Sequence, residues 1–482
     1  MLFNSIDFAI FLPIVFFIYW FITNKNLKLQ NILIVISSYI FYGWWDWRFL
    51  SLILFSTIID YNIGLLLSKL ENIRKRKILL WISLLANLSF LGFFKYYNFF
   101  LDNFITAFSF FGTEIKANSL NIILPIGISF YTFQTLSYTI DIYKRKLKPT
   151  KDFIAFSAFV SFFPQLVAGP IERATNLLPQ FYKKRKFKYN QAVDGMQQIL
   201  WGLFKKIVIA DNCAEYANTI FNNSSEYSGS TLALGAFFFA FQIYGDFSGY
   251  SDIAIGTSRL FGFNLKQNFA SPYFSRNIAE FWRRWHISLS SWFRDYLYIP
   301  LGGSRGGNGN TIRNIFIVFI VSGFWHGANW TFIVWGALNA IYFLPIFLTN
   351  NNRNYLTIVA KGKYFPTLKE IFLMLSTFIL TTFAWIFFRA ENIQHAINYI
   401  LKIMSSSLFN MPYFMGIRKA GMVLILIVFF LIIEWLGREQ QYAIKKIEFI
   451  NSKLFKWGFY YFIAILIFLY GAKSNDFIYF QF

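Results

Sequence analysis

The chain has 482 residues, 56% of them apolar and 22% aromatic, and only 14% charged. Soluble domains average about 45–50% apolar and about 25% charged, so composition excludes an ordinary soluble protein. The net charge of +22 would suit a nucleic-acid binder, but no such motif is present; the basic residues fall in short loops between apolar runs, as in cytoplasmic loops of membrane proteins.

The reading is an all-α polytopic membrane protein. The N-terminal stretch Met1–Asp7 has no positive n-region, and no A-x-A site follows the first apolar run, so a first span is expected in place of a removable leader. Apolar runs predict spans near Phe8–Thr23, Ile32–Trp45, Phe49–Leu67, Ile78–Phe94 and Ile122–Ile142. Further spans are predicted near Ala192–Phe221, Leu232–Leu260, Ile315–Phe347, Phe372–Phe388, Met422–Trp435 and Phe459–Tyr470. Basic residues follow the first span (Lys25, Lys28), the third (Lys69, Arg74, Lys75, Arg76, Lys77) and the fifth (Lys144, Arg145, Lys146, Lys148, Lys151). The N-terminus is therefore expected outside, with these loops in the cytoplasm and facing an anionic leaflet.

The segment Asp152–Gln180 lies between that last basic cluster and a second one (Lys183, Lys184, Arg185, Lys186, Lys188). Both clusters favour the same side. Pro164, Gly169 and Pro170 interrupt any spanning helix, so the segment is expected to enter the membrane and return. The single cysteine, Cys213, allows no intrachain disulfide and no Cys-based metal site. Asp211 and Glu215 beside it disfavour a thiolate, so Cys213 reads as packing.

Two carboxylates, Asp246 and Asp252, lie in the polar insert Gln242–Asp252 of an otherwise apolar run. Such groups need partners in a bilayer, and Arg283 and Arg284 are the candidates. The stretch Phe281–Tyr296, read as a helix, puts Trp282, His286, Leu289 and Phe293 on one face and suits an interfacial helix. Gly302–Gly309 lacks the G-K-[ST] ending of a phosphate loop and reads as a connection.

From Asn314 to Asn352 no charged residue occurs, and His326, in Gly323-Phe324-Trp325-His326-Gly327-Ala328-Asn329, is the only group there that titrates near neutrality. Gly323, Gly327 and Pro345 are possible breaks, so Ile315–Phe347 is long enough to form two helices. An ionisable group at such a depth usually marks a function, against a plain structural histidine bonded across two helices. His395, after Arg389-Ala390-Glu391, reads as solvated at a membrane boundary. Acyl transfer to a hydroxyl needs a base near physiological pH, which histidine supplies, and a donor for the developing oxyanion. Trp325, Asn329 and His286 are all eligible donors. Two histidines without H-E-x-x-H spacing are too few for a metal site, and no G-x-S-x-G elbow supports a serine triad.

Taken together, Phe162–Pro170 with Ile171-Glu172-Arg173, the Asp246–Asp252 insert, Phe281–Gly303, Ser322–Asn329 and the terminal Asp476–Phe482 resemble the membrane-bound O-acyltransferase (MBOAT) family, in its bacterial alginate O-acetyltransferase branch. The resemblance implies a single membrane domain over 1–482, with a catalytic core at about 120–345. It implies a bundle of about 10–12 transmembrane helices, with re-entrant and interfacial segments around a central tunnel. It implies His326 as the principal catalytic residue and His286 as the second. Trp325, Asn329, Asp246, Ser248, Arg283 and Arg284 are the accompanying substrate or tunnel residues. No bound cofactor or metal is implied; the acyl donor would be acetyl-CoA or an acyl carrier thioester on the cytoplasmic side, which Arg283 and Arg284 could attract. A periplasmic partner of the SGNH type would complete transfer to a cell-envelope polysaccharide such as alginate-like polymer, cellulose or peptidoglycan, and the location would be the bacterial inner membrane. Gly245 departs from the pattern, where many relatives carry cysteine. The rivals are D-alanyl transfer to teichoic acid on the same fold and, from another class, an envelope-precursor transporter, against which the lack of internal repeats counts.

Overall fold

The structure is a computed structural model that describes residues 1–112, 118–167, 169–449, 452–471 and 477–478. Of the terminal motif Asp476–Phe482, only Phe477 and Ile478 are described. Ala168 of the Phe162–Pro170 motif and the other residues of the terminal motif lie outside the described set. Among the described residues every regular element is helical, with no strand. Among the described residues, six helical stretches are long and apolar enough to cross a bilayer: Leu27–Lys69, Ile73–Phe110, Trp330–Leu348, Leu368–Arg389, Ile417–Gly437 and Lys453–Tyr470. Shorter apolar stretches are Ile6–Ile22 and Phe153–Leu166. Gly229–Leu260 and Gly307–His326 are as long but carry the polar residues of the functional motifs.

These helices are inside out relative to a soluble protein. On Ile417–Gly437, Met422, Ile425, Val428 and Ile432 are exposed at helical spacing, while Val423, Ile427, Phe430 and the carboxylate Glu434 are buried. An outward face of that kind suits acyl chains, and the charge turns inward because hydrocarbon cannot solvate it.

The chain forms two compact units: residues 1–192 with 257–265, and residues 193–256 with 266–482. In the first, Asp60 accepts hydrogen bonds from Ser83, from Asn87 Nδ2 at 2.9 Å and from Thr139 Oγ1 at 3.2 Å, so its oxygens are satisfied by neutral donors. The interrupted segment forms the nine-residue helix Phe153–Ser161, capped by Asp152, then a break at Phe162 and the one-turn helix Phe163–Leu166. Nine residues rise only about 14 Å, under half of a hydrocarbon core. This helix does not span. Arg185 departs from the solvated basic cluster expected of it. It is buried, donates to Asn31 Oδ1 at 2.7 Å and lies 4.8 Å over the Phe263 ring.

In the second unit, the uncharged run is two helices, Gly307–His326 and Trp330–Leu348, separated at Gly327. Gly323 and Pro345 sit inside helices instead of breaking them. The hairpin is tight because of glycine. A Cβ on Gly323 would lie 2.2 Å from the Phe332 carbonyl oxygen, and one on Gly336 would lie 2.4 Å from that of Phe319. In a membrane, where burial from water does not drive helix pairing, such close backbone approach supplies the packing. The Gly302–Gly309 stretch is a turn through Gly302, Gly303 and Gly306, all with positive φ, and its last residues from Gly307 already belong to the helix.

Candidate active site

Helix Gly307–His326 ends on its histidine, and Gly327 follows in extended backbone. A side chain is excluded at Gly327, because a Cβ would meet the Phe332 ring at 2.0 Å. The His326 ring is buried among aromatic edges: Trp335 at 5.2 Å, Phe388 at 5.3 Å and Trp325 at 4.9 Å between centroids. It is thus set at a helix end in an aromatic wall built from three helices.

His286 is held differently, and the continuous helix expected over Phe281–Tyr296 is broken at this residue. Helix Ile278–Arg284 stops, Trp285 is extended, and His286 adopts φ +43°, ψ +53° before helix Ile287–Phe293 starts. A non-glycine residue in the left-handed region is strained, and such strain persists only where surroundings enforce it, most often at functional sites. The enforcing residue is Asn268. Its backbone carbonyl accepts from Ile287 N–H at 2.9 Å. Its side-chain Oδ1 accepts from Ser288 N–H at 3.2 Å and Ser288 Oγ at 2.8 Å, and faces His286 Nδ1 at 3.1 Å. Its Nδ2 donates to Ser251 Oγ at 3.0 Å.

That arrangement sets the tautomer. A backbone N–H only donates, so the Asn268 atom facing Ser288 N is the oxygen, and the His286 nitrogen facing the same oxygen must carry its hydrogen. In the neutral ring Nε2 is then a lone pair. It is buried and has no hydrogen-bond partner among the described residues. Burial also holds the His286 pKa well below the ordinary histidine value, which keeps the ring neutral.

Phe247 packs edge-on to His286 at 4.5 Å, and Phe269 lies over it at 6.1 Å. The Trp325 indole lies 6.3 Å from the His286 ring and 4.9 Å from the His326 ring, so one side chain touches both imidazoles. Two histidines forty positions apart are thereby brought to one aromatic enclosure.

The other expected site residues divide. Arg283 and Arg284 do not meet Asp246 or Asp252. Arg284 pairs with Glu280 at 2.8 Å, and Arg283 donates to the carbonyls of Asn352 and Tyr355 at 2.7 and 3.0 Å. The carboxylates are met by two consecutive lysines in a wide π-turn, Phe204–Ala210. Lys206 contacts Asp246 and Asp211, both at 2.8 Å, and Lys205 contacts Asp252 and Ser248. Sequence reasoning missed both lysines because they stand in a run taken as apolar; their signal was adjacent charge inside a predicted span. Asp246 also accepts from Ile478 N–H at 2.7 Å, and Phe477 lies 4.3 Å from Tyr250 and 5.9 Å from Phe247. Asp246 and Ser248 thus stand behind the aromatic wall of His286. Gly245 gives the π-turn its room, since a Cβ there would lie 2.9 Å from the Lys205 carbonyl oxygen.

Asn329 is a helix cap. Its Oδ1 accepts from Thr331 N–H at 3.0 Å and its Nδ2 donates to the Glu391 carbonyl at 2.8 Å. His395 is half-buried, with Nε2 3.0 Å from Ser224 Oγ, and so is less solvated than its sequence suggested. Cys213 is fully buried.

A cavity of about 510 Å³ lies against the helices that carry the two histidines, although neither imidazole lines it. Ser290, on the helix that follows His286, and Ser322, one turn before His326, both line it. Trp282 and Phe319 give it an apolar wall, and Arg283, Arg294 and Arg353 also line it, Arg294 being paired with Asp295 at 2.8 Å. It can hold a molecule with an apolar arm and an anionic end.

The family model for MBOAT, the membrane-bound O-acyltransferase family, matches residues 143–351. A protein named probable alginate O-acetylase AlgI from Azotobacter vinelandii is 40% identical over 399 residues, covering 82% of this chain and 76% of that protein. A protein of the same name from Pseudomonas aeruginosa is 41% identical, covering 82% of this chain and 73% of its own length. The peptidoglycan O-acetyltransferase of Helicobacter pylori is 38% identical over 426 residues, covering 82% and 78%.

Proposed function

The chain belongs to the membrane-bound O-acyltransferase family as a multi-pass membrane enzyme, and we propose that it is an O-acetyltransferase acting toward hydroxyls of a bacterial cell-envelope polysaccharide. The observation that carries the reading is the single indole, Trp325, whose ring lies 6.3 Å from the His286 imidazole and 4.9 Å from that of His326. The names of two classes of relative, acting on alginate and on peptidoglycan, support acetyl as the group and leave the polymer open.

In this reading an acetyl thioester, from coenzyme A or a carrier protein, lies in the cavity with its anionic end toward Arg283, Arg294 and Arg353. The hydroxyl oxygen of the acceptor attacks the thioester carbonyl carbon. Its proton passes to an imidazole, the carbon–sulfur bond breaks, and the imidazolium returns the proton to the thiolate sulfur. Positioned base catalysis contributes roughly 10²–10⁴-fold. With Nδ1–H committed to Asn268, a neutral His286 offers Nε2 only as an acceptor. It therefore acts as a proton acceptor and does not polarise the carbonyl. His326 remains the principal catalytic residue, and donation to the developing oxyanion falls to it or to Trp325. The further elements of the proposal are a periplasmic SGNH-type partner that carries acetyl to the polymer, an inner-membrane location and an external N-terminus. A central tunnel joining the two faces belongs to it as well.

The test is polymer-bound ester in cells carrying His326→Ala or His286→Ala. Loss of alkali-labile acetate, with the protein present in the membrane at normal level, is expected for both. Undiminished acetylation by a folded His326→Ala protein overturns the reading. Release of an amine in place of acetate would assign the chain to alanyl transfer.

A further inference from the structure

The connection between helices Trp330–Leu348 and Leu368–Arg389 is held mainly by its own backbone. Four arginines donate to its carbonyls: Arg283 to Asn352 and Tyr355, Arg284 to Thr357 at 3.2 Å, Arg276 to Thr357 at 2.7 Å, and Arg438 to Val359, Ala360 and Lys363 at 2.6–3.0 Å. One side of this connection supplies Asn352, Arg353 and Leu356 to the 510 Å³ cavity described above. The other side closes a second, open pocket of about 400 Å³, whose charged lining is Arg276, Lys361, Lys363 and Lys369 against Glu370.

The cations of this second pocket differ in kind. Arg276 is matched by Glu280 at 3.0 Å and Glu370 at 3.3 Å. Lys361, Lys363 and Lys369 are exposed, and none has a carboxylate partner among the described residues. Next to them, Tyr364, Phe365, Leu368 and Phe372 are 77%, 84%, 86% and 71% exposed. Leu368 is also the first residue of a spanning helix. Aromatic side chains and lysines at the start of a span lie at headgroup depth. Soluble phosphate would answer the lysines and leave Leu368 and Phe372 uncovered. A phosphate carrying acyl chains answers both.

We propose that this pocket binds the headgroup phosphate of an anionic phospholipid, with Lys361, Lys363 and Lys369 as its ligands. The acyl chains lie along Leu368 and Phe372, and the bound lipid braces the connection that walls the donor cavity. Only the last statement rests on the proposed acyl-transfer reading; lipid binding stands without it.

The experiment uses the full chain in detergent with phosphatidylglycerol added, and native mass spectrometry to count retained lipid. The variant Lys361→Ala/Lys363→Ala/Lys369→Ala is compared with Lys183→Ala/Lys184→Ala/Lys186→Ala, which removes three exposed lysines from another loop. Expected is retention by the wild type and the second variant, with binding weaker on the order of 10²-fold in the first, the summed effect of three lysines near a charged surface. Phosphatidylcholine is expected not to substitute. Equal losses in both variants would mean a diffuse surface potential and overturn the site. Displacement of phosphatidylglycerol by coenzyme A would also overturn it, by making the pocket a soluble-phosphate site. The readout needs no acyl transfer, so its failure is separable from failure of the proposed activity.

Discussion

Replacing Asn268 by leucine tests the histidine geometry most directly. Asn268 Oδ1 serves three donors: His286 Nδ1–H, Ser288 N–H and Ser288 Oγ–H. A hydrogen bond contributes about 1 kcal/mol net, while a buried donor left without an acceptor costs about 1–3 kcal/mol. The Nδ1–H tautomer therefore loses about 2 kcal/mol of preference, or about thirtyfold in the tautomer ratio. The left-handed backbone at His286 also loses its clamp. Most of a base contribution of roughly 10²–10⁴-fold goes with them, so Asn268→Leu is expected to lower acetylation about 10²-fold. Asn268→Asp keeps an acceptor for all three donors and is expected to stay within about tenfold of wild type. The assay is alkali-released acetate per unit of polymer, with the membrane level of each variant measured in parallel. Wild-type acetylation by Asn268→Leu would refute the tautomer argument, and so would equal loss in both variants.

Asp246→Ala removes one of the two carboxylates that meet buried Lys206, and the cost is expected at about 3 kcal/mol, the low end for breaking a buried pair; a thermal melt of detergent-solubilised protein that does not move would contradict this. Gly336→Val forces a Cβ to within 2.4 Å of the Phe319 carbonyl oxygen and is expected to cost about 1–3 kcal/mol or more, seen as lost membrane protein level, whereas the exposed Gly458 tolerates the same change. Because burial depresses the His286 pKa, that ring is expected to stay neutral to well below pH 6.5, read from its own ring signals by NMR in a pH series on a His326→Ala/His395→Ala background; titration at the ordinary histidine value would contradict this. Single cysteines at Lys151 and Lys188 are expected to react with impermeant thiol reagent from the same side of the membrane, as a returning segment requires; reaction from opposite sides would make Asp152–Gln180 a crossing.

The polytopic helical class was legible from composition because a bilayer leaves few alternatives. Apolar runs of the required length and basic loops between them have one economical reading. The break at Gly327 and the interruption after Ser161 were legible for the same local reason, since glycine and proline act on their own neighbourhood in the chain. His286 and His326 could be singled out because titratable groups are rare in such surroundings. What could not be read was which groups meet. Arg283 and Arg284 looked like partners for Asp246 and Asp252 by charge alone. Folding instead sent Arg283 to main-chain carbonyls and Arg284 to Glu280, and brought Lys205 and Lys206 to the carboxylates through a π-turn that no periodicity announces. The helix drawn through His286 failed likewise, because Asn268, eighteen residues earlier, captures the Ser288 amide and imposes a left-handed residue that local propensity opposes. Local chemistry thus determined the class, the breaks and the candidate imidazoles. Pairings across long sequence separations, which depend on where packed helices place each side chain, were decided only by the tertiary structure.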